Sequence, residues 1–295
     1  MKDRIVLLLL RSIAFLPLWL ARFMGHITGT IAWVLRTRGT RVALVNLQHC
    51  FPEMAEDERR KLCKASMQDW GKTLFETPLV WQREPRWLEK KFLHIEGKEI
   101  IDALLNQQRG LIFLGPHLGN WEAASLFWTA KAQMTCMFAP SGHNALDEWV
   151  KSARESVGAT LVTADNRGVI KLLRALKEKK VLGILPDQVP EESGGAFAPF
   201  YGQPALTMTL IHNLLKRSGA PAAFCYAKRV PGGFHMVFRS VPDAIYSESE
   251  EESLSALNKG IEDCVNDCLS QYQWEYKRFR KLPEGAAKLY TRENT

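Results

Sequence analysis

Leu111-Ile112-Phe113-Leu114 is an unbroken apolar run, preceded by Gly110 and stopped by Gly115-Pro116. Four residues bounded in this way suit a strand buried on both faces. Asn120 can then accept from the unpaired N–H groups of a helix running from Trp121 to about Leu126. The stretch reads strand, tight turn, helix start, with His117 on the turn and Glu122 in the first helical turn. Gly115 and Gly119 permit close backbone approach around His117. Such a His and Glu can meet as a hydrogen-bonded pair, in which the carboxylate holds and stabilises the protonated form of a general base.

The same rhythm recurs along the chain. Amphipathic helix is expected over 42–49, stopped at Cys50-Phe51-Pro52, and again over 56–81. Strands are expected at 91–96, 111–114, 134–138, 160–163, 181–185, 222–227 and 235–238. Helices fall between them at 99–107 and about 168–180, with a last one from about 252 to 272. Alternation of this kind predicts an α/β fold, a layered central sheet flanked by helices. The acidic run Glu248, Glu250, Glu251 and Glu252 sits at a helix start, where the helix dipole favours negative charge. A chain of 295 residues can bury one full-sized core.

Charge is uneven. The first 50 residues hold seven Lys and Arg against Asp3 alone, so six of the seven net positive charges lie there. A basic excess confined to one end argues against a nucleic-acid groove and points to anionic lipid. Residues 5–35 are mostly apolar, but Arg11 and Arg22 interrupt them, and Pro17 can divide them into two helices. On a helix, Arg4, Arg11, Arg22 and Arg36 form one stripe that also contains Gly29. The reading favoured is a helix lying in the membrane interface, its arginines among phosphates. A tilted span with snorkelling arginines and a helix packed on the protein with arginines outward remain open. Residues 1–40 are thus a membrane-associating arm and 41–295 the main domain, with the flank 36–41 on the cytoplasmic side.

Six cysteines show no Cys-x-x-Cys spacing and no zinc-type cluster with histidine, so no metal is expected and a reducing, cytosolic setting is. No small-x-small cleavage site follows the apolar stretch. Gly-x-Ser-x-Gly, the Gly-Lys-Ser/Thr phosphate loop and His-Glu-x-x-His are all absent, leaving serine hydrolase, nucleotide and zinc-protease readings unsupported. Leu185-Pro186-Asp187-Gln188 stands at the carboxyl end of a buried strand, where open α/β sheets collect ligands. Asp187 is therefore a site candidate, although a turn Asp would look the same. The glycine- and aromatic-rich stretch from Gly194 to Thr207 could line a groove, form a lid or simply connect. Arg154 precedes Gly158-Ala159-Thr160, and by itself reads as a solvated helix face.

Taken in order, these blocks resemble a known family. The chain is similar to the late acyltransferases of bacterial lipid A synthesis, the lauroyl/myristoyl transferases, within the wider glycerolipid-type acyltransferases with a His-x4-Asp/Glu motif. The likeness runs through the apolar arm, Asn46-Leu47 and Cys50-Phe51-Pro52-Glu53, then Pro116-His117 to Glu122. It continues with Leu185-Pro186-Asp187-Gln188, Pro199-Phe200-Tyr201-Gly202 through Thr207, and Gln273-Trp274-Glu275-Tyr276-Lys277-Arg278-Phe279-Arg280 with Pro283-Glu284-Gly285. Many members have Arg-Pro where this chain has Ala139-Pro140.

The resemblance implies that His117 is the general base, with Glu122 its orienting partner. It implies that Arg154 holds an oxyanion or a phosphate, and that Asp187 belongs to the second conserved block. It further implies transfer of an acyl chain from acyl carrier protein to a hydroxyl of a lipid A precursor, at the cytoplasmic face of the bacterial inner membrane. No cofactor is required beyond acyl carrier protein as co-substrate, and no nucleic acid is a partner. Lys277-Arg278-Phe279-Arg280-Lys281 could dock the acidic carrier or be a solvated tail. Another lipid acceptor, water as acceptor, and an inactive lipid-binding scaffold are the rival readings.

Overall fold

Every apolar run named above becomes a strand. The computed structural model describes residues 2–140 and 142–291. Strands β1 (Phe92–Glu96), β2 (Leu111–Leu114), β3 (Thr135–Phe138), β4 (Thr160–Thr163) and β5 (Val181–Ile184) join β8 (Ala222–Val230) and β9 (Gly233–Ser240) in one sheet. Between β5 and β8, strands β6 (Gly195–Phe200) and β7 (Gln203–Met208) form a separate hairpin. The seven-stranded order is β1-β9-β8-β2-β5-β3-β4. Neighbours from β8 to β4 are parallel, β9 is antiparallel to β8, and β1 runs parallel to β9.

Side chains alternate across the sheet with period two. Ile112, Leu114, Leu182, Ile184, Phe224 and Tyr226 enter one apolar core. Leu111, Phe113, Val181, Ala223 and Cys225 enter the other. Both faces are covered, so β2 is buried throughout and reads as continuous rather than alternating apolar sequence.

The helices are α1 (Lys2–Ile13), α2 (Leu18–Val34), α3 (Arg38–Cys50), α4 (Glu56–Gln82), α5 (Pro85–Glu89), α6 (Lys98–Asn106), α7 (Trp121–Ala132), α8 (Asn144–Ser156), α9 (Asn166–Lys177), α10 (Leu210–Ser218) and α11 (Glu250–Asp267). Helix α11 begins with three glutamates behind Ser249, whose hydroxyl caps Glu252 N–H, as the acidic run predicts. Helices α5, α8 and α10 lack a counterpart among the sequence expectations.

On α2 the arm's stripe turns toward the protein at Arg22 and Gly29, contrary to expectation, while Arg11 and Arg36 are exposed. Pro17 does divide α1 from α2. Gly25 and Gly29, however, face inward on α4, so tightly that a Cβ on Gly29 would lie 2.1 Å from Met67 O. Arg22, on the same line, is half-buried beside them and bonds Glu76 rather than lipid phosphate. Arg11 stacks on the ring of Trp149, and the side chain of Arg4 lies outside the described residues. The outward face carries Phe15, Trp19, Phe23, Ile27, Ile31 and Val34, with Phe15, Trp19 and Val34 at least 70% exposed. Close helix crossing needs small residues, so the Gly line takes the protein side and the bulky side chains are left outward. No described helix is long and apolar enough to cross a membrane.

Candidate active site

The register of the sheet builds the site. Leu114 of β2 pairs with Ile184 of β5, and three residues beyond each stand His117 and Asp187. His117 Nδ1 lies 2.7 Å from Asp187 Oδ1, and the His117 backbone N–H donates to Asp187 Oδ2 at 2.8 Å. With the carboxylate on Nδ1, the ring proton sits there and Nε2 presents its lone pair. Gln188 Nε2 is 3.1 Å from that nitrogen and also donates to Gln273 Oε1 at 3.0 Å. The Trp121 ring tilts against the imidazole, 5.0 Å between centroids.

The turn carrying His117 is pinned from several sides. Gly119 has φ +62°, and a Cβ there would meet Ala227 O at 2.0 Å, so only glycine fits. Its N–H donates to Gln271 O, and Asn120 N–H to Ala227 O. Asn120 caps α7 as predicted, its Oδ1 accepting from Ala123 N–H at 2.9 Å.

Glu122 does not serve as the hydrogen-bond partner of His117, which corrects the pairing expected from sequence. Its carboxylate is taken by Arg154, whose Nη2 and Nε both donate to it, and by Trp81 Nε1 at 2.9 Å. The physical reason is direction. Glu122 projects from the first turn of α7 toward α4 and α8, whereas Asp187 arrives on the strand beside His117's own. The solvated-face reading of Arg154 is likewise set aside, since its guanidinium is mostly buried against Glu122.

Burial would raise both carboxyls, but their partners prevail. The charge of His117 and its two hydrogen bonds hold Asp187 below the usual carboxylate range. The Arg154 charge and hydrogen bonds, with Trp81, do the same for Glu122. At Glu275 burial outweighs the Gln273 hydrogen bond and the His117 charge. Burial pushes it up to about 7, and its Oε2 is shielded without a hydrogen bond among the described residues.

An apolar cavity of about 250 Å³ lies between the sheet and α7, reached from the imidazole across the Trp121 ring. Trp121, Glu122, Ser125 and Trp128 line it along α7, about two helical turns or roughly 10 Å. Phe113, Gly183 and Cys225 form the sheet wall, and Met134 with Cys136 close the side toward β3. Gly115 and Leu185, each two residues before His117 and Asp187, also line it, whereas His117 and Asp187 themselves do not. Glu122 and Arg154 are the charged groups of its wall. The arrangement can remove a proton from a hydroxyl beside a chain held in a water-poor slot.

The stretch after Gly194 is the β6–β7 hairpin. Pro199 and Pro204 face each other in its ladder, and Met208 reaches the cavity rim. The terminal basic run anchors this hairpin. Arg278 is buried and donates to Leu206 O and Thr207 Oγ1, Arg280 donates to Val189 O, and Lys281 pairs with Glu192. Gln188, Gln273 and Trp81 are site residues that sequence reading left without a role. Gln188 and Gln273 fell within the blocks that carry the family resemblance, and Gln188 also stood at a strand end, but nothing signalled Trp81.

A family model described as bacterial lipid A biosynthesis acyltransferase matches residues 2–281. The chain is 28% identical over 276 residues to a lipid A biosynthesis lauroyltransferase of Escherichia coli (strain K12), covering 90% of this chain and 87% of the relative. It is 26% identical over 279 residues to a palmitoleoyltransferase of that strain, covering 93% and 90%. To a myristoyltransferase of that strain it is 24% identical over 276 residues, covering 90% and 83%.

Proposed function

The chain belongs to the bacterial lipid A biosynthesis acyltransferase family and is an acyltransferase, and from that premise we propose a His117-based transfer of a fatty acyl chain from an acyl carrier protein thioester to a hydroxyl of a lipid A precursor. The observation that supports this most is the His117–Asp187 pair next to an apolar slot whose wall includes Trp121, the ring packed on the imidazole. Asp187 replaces Glu122 as the orienting acid in this reading.

The acyl chain lies along α7 with its thioester carbonyl near Glu122, Arg154 and His117. The acceptor hydroxyl displaces the Gln188 amide and gives its proton to His117 Nε2 as its oxygen bonds the carbonyl carbon. Asp187 stabilises the imidazolium formed. The remaining guanidinium hydrogens of Arg154 are the candidates for the developing oxyanion. Collapse breaks the C–S bond, and the proton passes from His117 to the departing thiolate. A positioned base contributes about 10²- to 10⁴-fold, one oxyanion donor roughly 3 kcal/mol, and orientation of two bound substrates the remainder.

The proposed location is the cytoplasmic face of the inner membrane, with the outward apolar face of α2 in the bilayer interface. Arg278 and Lys281 are committed within the protein, which argues against the terminal basic run as the carrier's principal dock.

The test uses full-length protein in detergent with acyl carrier protein thioester and a lipid A precursor. Mass spectrometry should find one acyl chain added by wild type and none by His117→Ala. Absence of transfer by wild type, or its retention in His117→Ala, overturns the proposal.

A further inference from the structure

A carboxylate with no part in the transfer chemistry lies at the centre of a buried network behind the catalytic turn. Glu76 of α4 is fully buried. Its Oε1 accepts from Arg22 Nε at 2.5 Å and from Arg229 Nε at 2.9 Å. Its Oε2 accepts from Arg229 Nη2 at 2.9 Å and from Asn120 Nδ2 at 3.1 Å. Asn120 caps α7, three residues after His117 and two before Glu122. Thr73, one turn earlier on α4, donates to Gly119 O at 3.3 Å and accepts from Arg229 Nη2.

Arg22 comes from the membrane arm. Its remaining guanidinium groups donate to Val230 O at 2.6 Å and Gly233 O at 2.7 Å, so it also clamps the β8–β9 turn. Strand β8 supplies Ala227 O, the acceptor for Asn120 N–H. The arm therefore reaches the catalytic turn by two routes, through Glu76 to the Asn120 side chain and through β8 to its backbone. On α2 the Arg22 side chain turns inward to Glu76 while Trp19 and Phe23 are 70% and 57% exposed, so clamping and docking fall to different side chains of one helix, with Trp19 one turn from Arg22.

We propose that Arg22 is a positioning residue for the His117–Glu122 turn, so that the arm sets turnover as well as membrane attachment. The inference rests on the proposed acyl transfer. Loss of Arg22 leaves Glu76 and Arg229 to find a new arrangement, and Asn120 moves with them. A displacement of about 1 Å at reacting groups can cost on the order of 10²-fold in rate.

Full-length Arg22→Ala, Arg22→Lys and the lipid-face pair Trp19→Ala/Phe23→Ala would be compared, with a fatty acyl thioester and lipid acceptor in detergent and with anionic vesicles. Arg22→Ala is expected to sediment with vesicles like wild type, with kcat reduced roughly 10- to 100-fold and KM little changed. Arg22→Lys keeps the charge on Glu76 but not both carbonyl bonds, and should recover part of kcat. The lipid-face pair should show the reverse, weak sedimentation with detergent turnover near wild type. In a cycle with Asn120→Ala, the two losses in kcat should be clearly less than additive. Unchanged kcat per folded molecule in Arg22→Ala, additive losses, or a loss that tracks only vesicle release overturns the inference. An inactive wild type would instead refute the acyl-transfer reading on which it rests.

Discussion

Four residues in and around the candidate site should give distinct signatures on substitution. Asp187→Asn keeps the shape beside His117 but removes the charge that stabilises the imidazolium, so kcat should fall by about 10²- to 10⁴-fold in steady-state assays. Glu122→Gln leaves the buried Arg154 guanidinium without its counter-charge. Its main effect should be on folding, a loss of about 3–5 kcal/mol in denaturant titrations. Gly183 addresses chain length, which the names of the relatives leave open between lauroyl, palmitoleoyl and myristoyl. A Cβ there would stand 3.0 Å from Cys136 Sγ and 3.1 Å from Met134 Cε, at the cavity wall. Gly183→Val should therefore shift the preferred donor to shorter chains, by roughly tenfold in relative kcat/KM per methylene excluded, measured with a donor series. Glu275, raised to about 7 by burial, binds a proton in the folded state that the unfolded chain has released above its ordinary carboxylate pKa. Wild type should thus lose stability as pH rises from about 4.5 through 7. Glu275→Gln should abolish that loss, so its melting-temperature advantage over wild type should grow between pH 5 and pH 8. Of these residues, His117, Glu122, Arg154 and Asp187 were marked by sequence. Their pairing was not, because it depends on which strand lies beside β2.

Elements tell a similar story. The central strands β2, β5 and β8 were legible as apolar runs because burial on both faces leaves a compositional trace, which the more exposed edge strands β1 and β4 carry less clearly. The β6–β7 hairpin was less so, because opposed Pro199 and Pro204 look like loop residues. Pro tolerates strand positions whose N–H points away from the ladder, and only the pairing shows which those are. Helix α2 was read with its stripe reversed, since an arginine beside glycines suggests lipid phosphate until Glu76 of α4 is placed opposite it. That contact changes what truncation should do. Removing residues 1–35 uncovers the Gly71 groove and strips Arg22 from buried Glu76. Such a chain should aggregate or melt early in light scattering and circular dichroism, rather than yield a stable, membrane-free enzyme.

For the whole molecule, the features fall on separate surfaces: a basic, greasy arm outside, a reactive turn at the strand ends, and an apolar slot within. Six of the seven net charges lie in the first 50 residues, so binding to anionic vesicles should exceed binding to neutral ones and weaken as salt rises. Cosedimentation across ionic strength checks this. Sequence by itself determined the layered α/β class, the cap at Asn120, the division at Pro17 and the place of His117 on the turn after β2. Each of these depends on short-range steric and hydrogen-bonding preferences, or on the burial pattern of a single segment. Tertiary structure alone decided that Asp187 holds His117, that Arg154 neutralises Glu122 and that Arg22 faces inward. Those are contacts between residues 32 to 70 positions apart, created by strand order and helix crossing, and no local preference encodes them.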